Sequence, residues 1–279
     1  MSQASGDDAG SALSEGEWAE LTAKISRERG FQCSSYKDKC LRRRIAMRMR
    51  ARGVHRYDDY ASLLSSDARE YDLLVDALTI NVTKFFRNAD VFAAIAAGPV
   101  AALWAGGAPI RAWSAGTASG EEAYSVAILF HRHAERAGDG DDASRAAVLG
   151  TDIDRRCLDA ARAGAYGEAA FAETTLQVRQ RYFSATTPFA IDANVKAMTT
   201  FARHDLLHEP PPGATFELIV CRNVLIYFDR ASQERTLSAF ADATVPGGTL
   251  VLGKVETVLG PARSAFVSVD GRARLFRRV

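Results

Sequence analysis

The pattern of apolar positions changes character along the chain. Over residues 14–79 apolar side chains recur at helical spacing. Ser14 and Glu17 have capping-box spacing, and Trp18, Leu21 and Ile25 follow on one face. Gly30 is a stop for that helix. A second helix is predicted from about Lys37 to Arg52, ending at Gly53, with Leu41, Ile45 and Met49 as its apolar stripe. Asp67 and Glu70 open a third, with Leu73, Leu74, Ala77 and Leu78 inward.

After Thr79 short apolar runs alternate with helical stretches. Gly98-Pro99 breaks a short helix holding Val91, Phe92 and Ile95. Strands are predicted at Ile110–Trp113, Ala146–Gly150, Phe216–Cys221 and Thr249–Leu252. Helices are predicted at Glu121–Arg136, Arg155–Ala163 and Ala231–Ala243. This alternation argues for an α/β fold with a mostly parallel, doubly wound sheet. Phe266-Val267 and Leu275-Phe276, around Asp270-Gly271, read as a closing hairpin. The stretch 184–202, with Pro188 and short alternating segments, reads as a small β excursion. The division is then a disordered tail (1–13), a helical domain (14–79) and an α/β domain (80–279) that carries the excursion.

Charge changes this picture in one place. Lys and Arg total 35 and Asp and Glu 34, so no global field attracts nucleic acid or a membrane. The predicted second helix is the exception. Lys37, Lys39, Arg42, Arg43, Arg44, Arg48, Arg50 and Arg52 stand against Asp38 alone. This is either a solvated face or a surface for an acidic partner. There is no secretory signal and no apolar run near the ~20 residues a bilayer requires, so membrane insertion is not expected. Cys33, Cys40, Cys157 and Cys221 form no C-x-x-C pair, which fits reduced thiols in a cytoplasmic protein. His131 and His133 point to different faces of one helix, so no metal site is expected.

Three segments carry candidate chemistry. In residues 111–122 a strand meets a turn holding Gly116 and Gly120, and a helix follows. Doubly wound folds bind nucleotides at such a turn. The spacing is G-x-x-x-G rather than G-x-G-x-x-G, and no P-loop lysine follows. Glu121 and Glu122 would repel a pyrophosphate and suit a hydroxyl, an amine or a positive charge. A nucleoside site and a plain tight turn both fit. Asp152 ends the next strand, where a carboxylate accepts from ribose hydroxyls, while Asp154 serves as a helix cap. Residues 216–228 end a buried strand in Arg222 and Asn223 at the same edge, and Tyr227 follows either as core packing or as a site residue.

Together these segments resemble the CheR family of chemoreceptor glutamate methyltransferases. The resemblance rests on Asn81-Val82-Thr83-Lys84-Phe85-Phe86-Arg87, on Ser114 to Glu122 with Tyr124-Ser125, and on Thr151-Asp152-Ile153-Asp154. It rests also on Cys221-Arg222-Asn223-Val224-Leu225-Ile226-Tyr227-Phe228 and the basic run Leu41 to Met49. The ordered set spans roughly residues 18–260. It implies a Rossmann-like class I methyltransferase sheet binding S-adenosylmethionine, with S-adenosylhomocysteine as product. The expected substrates are glutamate side chains on chemoreceptor cytoplasmic helices.

By that resemblance Asn81, Thr83 and Arg87 touch the methionine end of the cofactor or the incoming carboxylate. Glu122 sits on the methionine side and Asp152 on the ribose. Asp205 and Leu206 lie by the adenine, and Arg222, Asn223, Val224 and Tyr227 line the transfer face. Arg87 and Tyr227 are the catalytic candidates, and Arg43, Arg44, Arg48 and Arg50 the substrate-recognition set. Nucleic acid is not an expected partner, and a monomer is expected. The chain departs from the family at Asp205 (commonly Asn), Thr117 and Ala123, at Gly253-Lys254-Val255-Glu256 (a Gly-His-Ser-Glu-like run) and in its short β excursion. The alternatives are a non-catalytic cofactor-sensing module and a methyltransferase with another substrate.

Overall fold

A computed structural model describes residues 7–79, 81–138, 145–213 and 215–279. The chain divides into two units, Met1–Ile80 with Tyr227–Asp229, and Asn81–Ile226 with Arg230–Val279. Among the described residues, no helix is long and apolar enough to cross a membrane.

Among its described residues the first unit packs four α-helices: α1 (Asp7–Arg29), α2 (Asp38–Ala51), α3 (Tyr57–Ser66) and α4 (Ala68–Leu78). Trp18, Leu21 and Ile25 of α1 meet Leu41, Ile45 and Met49 of α2 in one buried cluster. Gly30 ends α1 in the left-handed conformation (φ 69°) and donates its N–H to Ser26 O at 3.0 Å. Asp67 caps α4 by accepting the Glu70 N–H at 2.9 Å. Three expectations need correction. The segment 7–13, read as tail, belongs to α1, whose upstream residues contain no proline to stop a helix; residues 1–6 lie outside the described residues. Ser14 is therefore internal to α1 rather than its cap. Helix α3 was not foreseen, and Leu73, expected inward, is 38% exposed.

In the second unit α5 (Ala89–Ile95) and α6 (Ala101–Ala105) lead to β1 (Ile110–Ala115). Pro99 does not break the helix before it. It lies in a π turn, Ala96–Val100, between α5 and α6, whose looser ladder tolerates the missing N–H. Then follow α7 (Glu121–Ala137), β2 (Ala146–Asp152), α8 (Arg155–Ala163), β3 (Ala165–Tyr166), α9 (Leu176–Tyr182), β4 (Phe189–Ala190), α10 (Ala193–Ala197) and β5 (Thr199–Arg203). The chain closes with β6 (Phe216–Cys221), α11 (Arg230–Ala243), β7 (Thr244–Leu252), β8 (Phe266–Asp270) and β9 (Leu275–Arg278).

Seven strands form one sheet in the order β5-β2-β1-β6-β7-β9-β8. All pairs through β7 are parallel, and β9 runs antiparallel between β7 and β8. The doubly wound expectation and the closing hairpin both hold. The β excursion is smaller than expected. Only β4 pairs with β3, while Thr199–Arg203 joins the main sheet beside β2. The order reverses between β1 and β6, so a crevice opens there at the carboxyl ends of the strands.

Candidate functional site

Two turns meet at the reversal point. Gly116, after β1, has φ 78°, and a Cβ added there would lie 2.5 Å from Val224 Cγ2 in the turn after β6. Only glycine allows that approach. The N–H groups of Gly116 and Thr117 both donate to Thr151 O, at 2.8 and 2.9 Å, fixing the turn against β2. Asp152, at the end of β2, then accepts the Ala118 N–H at Oδ2 (2.8 Å) and the Asp154 N–H at Oδ1 (3.0 Å). Asp154 itself caps α8 through the N–H groups of Arg156 and Cys157. Its other oxygen accepts from Asn81 Nδ2 at 2.7 Å.

Glu122, in the first turn of α7, is buried. Ser114 Oγ donates to its Oε1 at 2.9 Å, and an Arg222 guanidinium nitrogen lies 3.6 Å from Oε2. Burial pushes its pKa up to about 7, although Arg222 and Ser114 pull the other way; Glu256 adds to the rise and Arg87 opposes it. Arg222 also donates to Asn88 Oδ1 at 2.8 Å and lies 5.3 Å from the Phe92 ring centroid. Burial likewise raises the Asp152 pKa, against the two N–H groups it accepts.

The segment 81–88 reaches this edge because Phe86 donates its N–H to Ser125 Oγ on α7 at 3.0 Å. Thr83 and Arg87 are half-buried, and Arg87 gives one N–H to Val82 O at 2.9 Å. Asp205 follows β5. It is buried and accepts the Leu207 N–H and the His208 ring nitrogen, both at 2.9 Å, beside half-buried Leu206. Four non-glycine residues in these segments have left-handed backbones: Phe86, Asn88, Ala118 and Asn223. Such strain concentrates at functional sites. Three buried polar atoms there lack a hydrogen-bond partner in the chain: Thr117 Oγ1, Arg222 Nε and Asn223 Oδ1. Buried polar atoms are nearly always satisfied, so this set fits a ligand with several polar groups.

Not every candidate joins this cluster. Tyr227 belongs to the helical unit, where its carbonyl accepts the Lys37 N–H at 2.9 Å and the Arg44 guanidinium lies 5.6 Å from its ring centroid. The basic set on α2 divides. Arg48 forks onto the buried Glu70 at 2.6 and 3.1 Å, and Arg44 donates to Ala77 O. Arg43 and Arg50 are exposed. Asn88, Ser114 and Glu256 were not foreseen. Asn88 directly follows the Phe-Phe-Arg run and Ser114 is the last residue but one of β1, so position alone pointed to both.

The sheet, its reversal point and the two carboxylates there define a nucleoside-cofactor protein of the class I methyltransferase type. A family model described as the CheR methyltransferase S-adenosylmethionine-binding domain matches residues 81–274. Another, the CheR methyltransferase all-alpha domain, matches 16–79. The chain is 34% identical to a chemotaxis protein methyltransferase of Klebsiella aerogenes, covering 88% of this chain and 84% of that protein. It is 32% identical to the chemotaxis protein methyltransferase of Escherichia coli, covering 88% and 85%. It is also 35% identical to an uncharacterized 104.1 kDa protein of Rhodobacter capsulatus, over 87% of this chain but 25% of that larger protein. The chain belongs to the CheR methyltransferase family, and its second unit is an S-adenosylmethionine-binding domain.

Proposed function

We propose that this chain transfers a methyl group from S-adenosylmethionine to glutamate side chains on chemoreceptor cytoplasmic helices, forming methyl esters in the cytoplasm. A glutamate carboxylate has an ordinary pKa of ~4.3 and is already ionised at neutral pH. The reaction therefore needs no general base. It needs alignment of the carboxylate with the methyl group and exclusion of water. Bound S-adenosylmethionine supplies a methyl group activated by its sulfonium charge.

The chain's residues supply binding and alignment. Each Asp152 oxygen accepts one backbone N–H and keeps acceptor capacity for the ribose hydroxyls. Glu122 takes the ammonium of the methionine end, with Asn81 and Thr83 beside it. Arg87 turns the rest of its fork to a carboxylate, that of the cofactor or of the incoming glutamate. Asp205 and Leu206 flank the adenine. Arg222, Asn223 and Val224 form the transfer face.

The observation that carries the substrate class is the outward stripe of α2. Lys39, Arg43, Met47 and Arg50 share one helix face and are all exposed, Met47 at 55%. Three cations around an apolar side chain complement a helix that carries carboxylates beside aliphatic residues. Arg44 and Arg48 take no part in this stripe, so recognition narrows to Arg43 and Arg50 within the expected set. Replacing Arg43 and Arg50 together by Glu is expected to raise KM for a receptor cytoplasmic fragment at least about tenfold, since like charges replace complementary ones. S-adenosylhomocysteine affinity, measured by calorimetry, stays at the wild-type value. An unchanged KM at low salt would overturn receptor recognition by this face.

A further inference from the structure

The loop after β7 holds a buried carboxylate that none of these roles uses. Glu256 is 4% exposed. Its Oε2 accepts the N–H groups of Gly253 at 2.6 Å and Asn223 at 3.0 Å, and its Oε1 accepts that of Ile226 at 3.2 Å. One carboxylate thus ties the end of β7 to the turn after β6. Gly253 makes room for it: a Cβ added there would lie 2.5 Å from Glu256 Oε2 and 2.8 Å from Asn223 N. The turn it ties has one left-handed residue. Asn223 has φ 60°, a conformation asparagine tolerates better than most, and its side-chain oxygen is one of the buried atoms with no partner in the chain. The converging N–H bonds hold the turn in this form.

Glu256 also belongs to the buried charge set of the crevice. Burial raises its pKa, and the N–H groups of Asn223, Gly253 and Ile226 oppose that rise. Its charge adds to the rise at Glu122 and favours the charged form of Arg222. Arg87 and Asp90 complete the set: Arg87 favours an ionised Glu122, and Asp90 favours a charged Arg222. Glu122 lies 3.6 Å from the Arg222 guanidinium, and the Glu256 charge acts on both.

We propose that Glu256 is a positioning residue for methyl transfer, its carboxylate clamping the turn after β6 with Asn223 left-handed and placing a further charge in the buried set around Glu122. The proposal rests on the assignment of Asn223 and Glu122 to the cofactor site. It gives the Gly253-Lys254-Val255-Glu256 loop a use that its divergent middle residues do not alter, because the two residues that make the clamp are Gly253 and Glu256.

Two substitutions separate clamp from charge. Glu256→Gln removes the charge and turns one acceptor into a donor facing N–H groups. Glu256→Asp keeps the charge but is one methylene too short to bridge both segments. S-adenosylhomocysteine binding is followed by calorimetry as a function of pH, and methyl transfer is measured at saturating cofactor. With Glu256→Gln the midpoint of the pH dependence of binding moves to lower pH, because Glu122 loses an anionic neighbour. With Glu256→Asp the midpoint stays in place while kcat falls about tenfold, the loss expected when alignment slackens. A simple structural role would lower Tm in both variants without moving the midpoint in only one. Wild-type midpoint and kcat in both variants would overturn the proposal. If neither variant folds, hydrogen exchange in the wild type decides: the proposal requires protected amides at Asn223 and Gly253, and exchange at open-loop rates refutes it. Failure of the wild type to bind S-adenosylhomocysteine would instead sink the site assignment.

Discussion

Glu122 is the residue whose chemistry is most sensitive to conditions. Its pKa rises from an ordinary 4.5 to about 7, chiefly through burial. The folded chain therefore holds a proton on Glu122 to higher pH than the unfolded chain does. Stability falls as pH rises through that window, where the native state binds more protons. Burial moves Asp152 and Glu256 in the same direction, which reinforces the trend. With Glu122 as the proposed partner of the cofactor's ammonium, binding runs oppositely, because an ammonium group selects the ionised acid. We expect the Tm of the cofactor-free protein to fall between 4.5 and about 7, and S-adenosylhomocysteine affinity to rise over the same interval. Glu122→Gln removes that binding dependence. An affinity flat in pH for the wild type would exclude Glu122 as partner of the ammonium. The spacing of Gly116, Gly120 and Glu122 was legible in the sequence, as was Asp152 at a strand end. Glu256 was not, because its partners are backbone N–H groups, and no sequence spacing announces a carboxylate that binds main chain.

Helix α2 shows what an element can hide. Its apolar stripe and its excess of cations are plain in the sequence, but periodicity cannot say which cations face inward. Arg48 does, and it pairs with Glu70, a residue 22 positions away that also accepts from Tyr60 Oη at 2.7 Å. Arg48→Ala leaves buried Glu70 with only the longer Arg52 contact at 3.9 Å and the Tyr60 hydroxyl, and should destabilise the protein by about 1–3 kcal/mol. Arg43→Ala, on the exposed stripe, should stay within about 0.5 kcal/mol of wild type. Urea denaturation compares the two, and equal losses would contradict the division of the helix into an inward and an outward face. Other elements escaped for related reasons. Strand β5 is polar at Thr199 and Thr200 and lies at the sheet edge, so it lacks the apolar run that revealed β1, β2 and β6. Helix α3 is short, with Asp58, Asp59 and Ser62 among its ten residues before the final serine pair. Pro99 read as a break because a π turn leaves no signature in composition.

At the scale of the molecule, chain order concealed assembly. Asn81, Glu122, Asp152, Asp205 and Asn223 are far apart in sequence, and the strand order that gathers their segments at one edge is a property of the sheet. The alternation of strands and helices made the doubly wound class legible, and the carboxyl edge followed from it. Which cations of the basic helix face inward, and the tie between Glu256 and the turn after β6, required the folded chain. The reaction proposed for this edge is carboxyl methylation of receptor glutamates. It is tested most directly by incubating the full chain with methyl-labelled S-adenosylmethionine and receptor cytoplasmic fragments, then scoring label released by mild alkali, which hydrolyses methyl esters and spares N-methyl groups. The expected result is alkali-labile label on the fragments that disappears with Asp152→Ala and with Arg87→Ala. Alkali-stable label, or no transfer by a wild-type protein that binds the cofactor, would contradict it.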